Sequence, residues 1–149
     1  MRWYAVTPAG DCTSAWASCA CPPRGNLRAG TPPCLCTAHL TVADGDEALA
    51  LAVVEPSWTD FHVSYRVGAR HPLDKGAAGR AILLGRDPAA EFAVTGAELP
   101  SGAKGLAAPI RHIAGFEGSV GIITLGDLDV ERIAPEVVRA AERFVARLG

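Results

Sequence analysis

The chain carries no cysteine beyond Cys36, a single methionine, and no run approaching the ~20 consecutive apolar residues that a membrane span needs. Neither sign of charge is in excess. Lys and Arg total 14, Asp and Glu total 16, and the net charge is -2. Such a balance gives no strongly basic surface for nucleic acid or for an anionic membrane. Met1-Arg2-Trp3-Tyr4 does not lead into an apolar stretch, so no signal peptide and no membrane partner are expected, and the cytoplasm is the expected location. Signatures of chemistry are missing as well. No Gly-x-Ser-x-Gly surrounds any serine, so no nucleophile elbow is indicated. His39, His62, His71 and His112 are scattered without the spacing of metal ligands and read as ordinary histidines. No enzyme, cofactor or metal is expected. No sequence repeats internally.

What is there divides into two parts. Residues 1–36 hold Cys12, Cys19, Cys21, Cys34 and Cys36, the pairs Pro22-Pro23 and Pro32-Pro33, two of three tryptophans, two leucines, and no Ile or Phe. Neither helical nor strand periodicity runs through them, so they read as an irregular segment unable to build a core. Five cysteines cannot close a full disulfide set, and a cytosolic chain would keep them reduced. Cys19-x-Cys21 and Cys34-x-Cys36 permit a four-thiolate zinc site, although structural zinc prefers two to four intervening residues. The body of the chain is rich in Ala, Gly, Arg and Pro, which suggests a GC-rich gene. Out-of-frame reading of such DNA favours Pro, Cys, Arg, Trp and Ser. A remnant of a scrambled upstream region is therefore a further explanation for this segment.

Residues 37–149 carry regular patterns. His39–Ala43 and Ala48–Val54 read as two strands around the turn Asp44-Gly45-Asp46. Phe61–Val67 alternates, with Phe61, Val63, Tyr65 and Val67 on one face. Asp74 is placed to cap a helix ending near Gly85, and Asp87 to cap a short second one through Phe92. Gly96 marks a loop. Gly105–Arg111 and Ser119–Leu125 read as another hairpin. Ile133, Val137, Ala141, Phe144 and Leu148 lay one stripe along a closing helix, with Pro135 tolerable near its first turn. Arg139, Arg143 and Arg147 follow one another at helical spacing with Glu136 and Glu142 among them, a solvated face. Hairpins followed by helices predict an α+β domain, an antiparallel sheet with flanking helices.

The start of the first helix is the strongest functional signal. A first turn offers unpaired N–H groups and a partial positive charge. Gly76, Ala77, Ala78 and Gly79 leave that backbone uncovered, which suits a carboxylate. The same small residues would equally let the helix pack closely on the sheet.

Two motifs carry a resemblance. Val67-Gly68-x-x-His71-Pro72-Leu73-x-x-Gly76-Ala77-Ala78-Gly79-Arg80-Ala81, then Gly105-Leu106-Ala107-Ala108-Pro109-Ile110 with Glu98 ahead of it, resemble the effector-binding domain of IclR-type transcriptional regulators. The closing Arg147-Leu148-Gly149 fits as well, and the likeness covers residues 37–149. It implies a GAF-like fold and a small-molecule effector, a small organic acid. On that likeness the acid is held by backbone N–H groups around Lys75, Gly76, Ala77 and Ala78. Val63, Leu106, Ala108 and Leu125 are expected as apolar walls, with Glu98 and Thr124 as polar contacts. A homo-oligomer is implied too. Two departures stand out. Residues 1–36 resemble neither the family's winged helix-turn-helix nor its linker helix, so no direct DNA binding is expected of this chain. The strand before the closing helix ends in Thr124-Leu125-Gly126 where the family places small polar residues. The alternatives are a ligand-free oligomerisation module and, further off, a GAF-type redox enzyme, against which the absence of cysteine after Cys36 counts.

Overall fold

The computed structural model describes residues 36–55, 65–87, 89–96, 98 and 102–148. Expectations for Cys12, Cys19, Cys21 and Cys34, and for Phe61–Ser64 including Val63, lie outside the described residues. Eight elements follow one another: β1 (Cys36–Asp44), β2 (Glu47–Val54), β3 (Arg70–Pro72), α1 (Gly76–Arg86), β4 (Ala93–Gly96), β5 (Lys104–Ile110), β6 (Gly118–Thr124) and α2 (Val130–Leu148). The strands form one sheet in the order β3-β2-β1-β6-β5-β4, antiparallel at every step. This is the α+β architecture that the hairpin pattern predicts and the resemblance implies.

Alternation along the strands decides which helix each residue meets. Cys36, Ala38 and Leu40 of β1, Leu106, Ala108 and Ile110 of β5, and Val120 and Ile122 of β6 share one face. There they pack against Ile133, Ala134, Val137, Ala140 and Ala141 of α2. The other face takes α1, whose Ala77 and Ala81 meet Ala93 and Ala107. Ile82 of α1 closes a neighbouring cluster with Ala48 and Leu73. β6 is buried along its whole length because helices cover both sides, so its sequence has no polar face to show. The β1–β2 hairpin turns at Gly45, whose φ is +67°. Between Leu40 and Thr41 the register shifts from Ala52 to Ala50. Leu51 is the extra residue of this bulge, and it keeps Ala50 on the α1 face while Ala52 joins the α2 face.

Several local expectations are corrected. Lys75, not Asp74, occupies the N-cap of α1, and no side chain of that segment caps it. The short second helix expected through Phe92 does not form: none of the described residues from Asp87 to Phe92 is helical. Asp87 Oδ1 accepts the Ala89 N–H at 3.1 Å, and Arg111 Nη2 donates to the carbonyls of Leu84 and Ala90 at 2.8 and 2.6 Å, closing the end of α1. Val67 and Gly68 form a turn, so the third strand is the short Arg70–Pro72 edge. Ala93–Gly96 is a strand where a loop is expected, paired through Thr95 with Gly105. α2 begins at Val130, capped by Asp129 Oδ1 accepting the Arg132 N–H. Pro135 therefore stands in its second turn, and Leu148 at its end is exposed. Cys36 opens β1 within the core and is disulfide-bonded, where a reduced thiol is expected.

Candidate functional site

The chain enters α1 through Gly76, whose φ of +71° is a left-handed conformation that strains a residue with a β-carbon. Its N–H points toward Glu98 Oε2 at 3.4 Å. The other oxygen of that carboxylate, Oε1, lies 2.8 Å from Arg80 Nη1, one turn into the helix. A carboxylate does sit at the first turn of α1, as the small-residue pattern suggests, and it belongs to the protein. It does the work that a capping side chain does elsewhere, complementing an unpaired N–H and the positive end of the helix.

Gly79 explains part of the small-residue run in another way. A β-carbon built there would lie 2.5 Å from the Leu73 carbonyl oxygen. The helix therefore rests directly on the Leu73 backbone, and glycine is a packing requirement at that turn. Ala77 and Ala78 are also buried, Ala77 facing Gly105 across the helix–sheet contact.

Beside this helix start lies a small cavity. His39, Tyr65, His71, Gly76, Ala77, Ala78, Thr95, Ala103, Gly105 and Ile123 line it. Its volume is about 20 Å³, room for about one water. Pockets that hold drug-sized molecules measure roughly 300–1,000 Å³. The inward groups of β1 are polar: Thr37, His39 and Thr41 are all at most 1% exposed. His39 Nδ1 lies 3.1 Å from Thr41 Oγ1, and the ring meets Tyr65 edge to face at 5.6 Å. Burial, helped by the nearby charge of His71, lowers the His39 pKa to about 4, so the imidazole stands neutral near pH 7. The Tyr65 hydroxyl is buried beside Thr41 without a well-formed hydrogen bond, and burial raises its pKa. Across the sheet Ser119 Oγ–H donates to the Ala78 carbonyl at 3.0 Å, tying α1 to β6.

The structure thus brings together Gly76, Ala77, Ala78 and Glu98, with Lys75 exposed at the rim. It separates the other expected residues from them. Leu106 and Ala108 point to α2, because in β5 the odd-numbered residues Gly105 and Ala107 face α1. Thr124 pairs with Cys36 on the α2 side, and its Oγ1 accepts the Gly126 N–H at 3.0 Å. Leu125 lies beyond the strand and is 38% exposed. His39, Tyr65 and Thr95 were not among the expected site residues. The signal for His39 was present: a strand with Thr37, His39 and Thr41 on one side and Cys36, Ala38 and Leu40 on the other has a polar face that reads as solvent-facing unless a second layer covers it. Among the described residues no group of His, Cys, Asp and Glu is placed to hold a metal ion, and no helix is long and apolar enough to cross a membrane.

No protein-family model matches the sequence, and no curated protein matches it in sequence either. Solved structures do match in three dimensions. An IclR transcriptional regulator from Alicyclobacillus acidocaldarius is similar at a TM-score of 0.64 and 19% identity, over 76% of this chain and 61% of that one. The repressor BlcR of Agobacterium tumefaciens is similar at 0.62 and 18%, over 76% of this chain and 60% of its own. The inducer-binding domain of the transcription factor PobR from Acinetobacter, solved as a double mutant with 3-hydroxybenzoic acid, is similar at 0.61 and 14%, over 73% of this chain and 87% of that one. The chain thus spans about three fifths of the two longer regulators. These neighbours are transcriptional regulators, not enzymes. The curled six-stranded antiparallel sheet with its two helices has the fold of the effector-binding domains of IclR-type regulators.

Proposed function

We propose that this domain senses a small organic acid whose carboxylate takes the place of Glu98 at the start of α1. The observation that carries the reading is the Glu98 carboxylate between the Gly76 N–H and Arg80. That position accepts a carboxylate, supplies it with a charged partner, and adjoins a cavity whose lining includes the neutral His39 imidazole. The solved inducer complex of a neighbour with the same fold supports a small-molecule role. Lys75, Gly76, Ala77 and Ala78 supply the backbone, and Glu98 is the group that leaves. The domain acts by binding and not by catalysis, in the cytoplasm and as a homo-oligomer. This chain has no DNA contact of its own.

The test is a thermal-shift series with acetate, propionate and benzoate on the full chain and on Glu98→Ala. The variant opens the N–H and Arg80 to an external carboxylate, so it gains more stabilisation than the wild type. Equal and negligible shifts in both proteins would remove the reading. A second reading has its own observation: with a cavity of about 20 Å³ and Gly79 pressed on Leu73, the small residues serve helix packing alone and the domain is a ligand-free oligomerisation module. That reading expects Glu98→Ala to lose stability and no carboxylate to restore it.

A further inference from the structure

We infer that the cleft between the end of α1 and the β5–β6 turn is a second binding site, one for a monocarboxylate with an apolar body. The cleft has a volume of about 340 Å³. Ile82, Ile110, Ile113 and Phe116 supply apolar surface, and Arg86, Arg111 and Glu117 are the charged residues that line it. Two cations and one carboxylate leave a net charge of +1.

The distribution of that charge is what selects the ligand. Both oxygens of Glu117 are taken by Arg86, at 2.9 and 2.8 Å, which satisfies that pair. Among the described residues Arg111 has no carboxylate within ion-pair distance. Its Nη2 serves the carbonyls at the end of α1, and its Nε–H is buried with no acceptor. A guanidinium that is only partly hydrogen-bonded, with a buried donor unmet, is costly as it stands. A carboxylate in the cleft is the group that answers the unpaired charge of Arg111, and Arg–carboxylate hydrogen bonds are among the stronger kind. One unmatched cation calls for a single negative charge. The aliphatic and aromatic walls call for an apolar body, which inorganic phosphate lacks.

Two further features belong to residues of the cleft's wall. His112, next to Arg111, has a φ of +67°, an uncommon conformation for a residue with a β-carbon. Phe116 stacks on Phe144 of α2 with centroids 6.1 Å apart, so an occupant would touch a ring seated on the last helix. The α1 residues that line the cleft, Ile82, Gly85 and Arg86, lie about 9–15 Å along the helix axis from Gly76. The cleft is therefore independent of the Glu98 position.

The experiment is a titration of the full ¹⁵N-labelled chain with sodium benzoate, following the Arg111 Nε–H resonance and the Gly76–Ala78 amides. A saturable downfield shift of the Arg111 Nε–H is expected, with benzamide, the neutral isostere, weaker by roughly tenfold or more. Arg86→Glu changes an exposed residue and reverses the cleft's charge from +1 to -1, so it is expected to abolish saturation while leaving the melting temperature near that of the wild type. An unmoved Arg111 resonance, equal response to benzamide, or undiminished binding by Arg86→Glu would each overturn the site. Shifts confined to Gly76–Ala78 overturn it and leave the proposed function standing. Shifts confined to Arg111 support it and count against that function.

Discussion

The two faces of the sheet are built from different materials. The α2 face is mainly aliphatic, with Leu40, Leu106, Ile110, Val120 and Ile122 against Ile133 and Val137. The α1 face carries small or polar groups instead: Ala48, Ala93 and Ala107, with Thr37, His39, Thr41, Thr95 and Ser119 buried among them. Large aliphatic side chains bury much apolar area and hold a helix strongly without directional contacts. Small and polar groups bury less and need defined partners, as Ser119 has in Ala78 and His39 has in Thr41. One face is a core, and the other is a core with a cavity and a carboxylate at its edge. The difference shows where the sheet has room for function.

Four measurements would break or sharpen this contrast. The largest effect is expected on the α2 face. Leu106 is fully buried, so Leu106→Ala should cost about 2–5 kcal/mol in denaturant unfolding. It should leave carboxylate binding at α1 unchanged, since the residue faces away from that helix. A binding loss there would mean that the two faces are coupled.

The second effect concerns pH. The unfolded chain protonates His39 near 6.5, and the folded chain only near pH 4. Between those values the unfolded state binds the extra proton, so stability falls as pH falls from 6.5 and is fully present above it. The expected loss is about 3 kcal/mol by pH 4. His39→Gln should flatten that segment of the stability profile. A profile equally steep in both proteins would place the titration elsewhere.

The third pair of variants probes how closely α1 sits on the sheet. Gly79→Ala drives a methyl group into the Leu73 carbonyl, and Ala77→Leu crowds Gly105; each should cost about 1–3 kcal/mol by thermal melting. An Ala77→Leu protein that melts like the wild type and loses carboxylate binding would instead make position 77 a ligand wall. The smallest effect is expected for Ser119→Ala, about 1 kcal/mol, from the loss of one buried hydrogen bond to α1. A neutral result would show that the α1 face holds by shape alone.

Much of the fold was legible because its signals are local. Alternation in β1, turn residues at Gly45 and the stripe of Ile133, Val137 and Ala141 each arise within a few residues. The misses occurred where a distant group overrode a local rule. Asp74 looks like a cap, yet Glu98 supplies the carboxylate from 22 residues away. Asp87 looks like the start of a helix, yet Arg111 draws together the carbonyls that end the preceding one. Of the expected site, Gly76, Ala77, Ala78 and Glu98 converge because they lie around one helix start. Leu106 and Ala108 do not, because a strand turns successive residues to opposite faces and the motif does not say which face is which.

Sequence alone determined β1, β2, β5 and β6, the helices α1 and α2, the antiparallel class and the small-residue start of α1, since propensity, turn chemistry and periodicity act over a few residues. Tertiary structure decided the rest. The pairing of β1 with β6, more than 70 residues apart, places His39 inside rather than in solvent. The docking of α1 on Leu73 and Gly105 leaves only a small cavity, and the return of Glu98 to Gly76 puts the protein's own carboxylate where a ligand's is proposed to bind. These outcomes depend on which surfaces meet in space, and close packing between distant segments leaves no periodic trace in the chain.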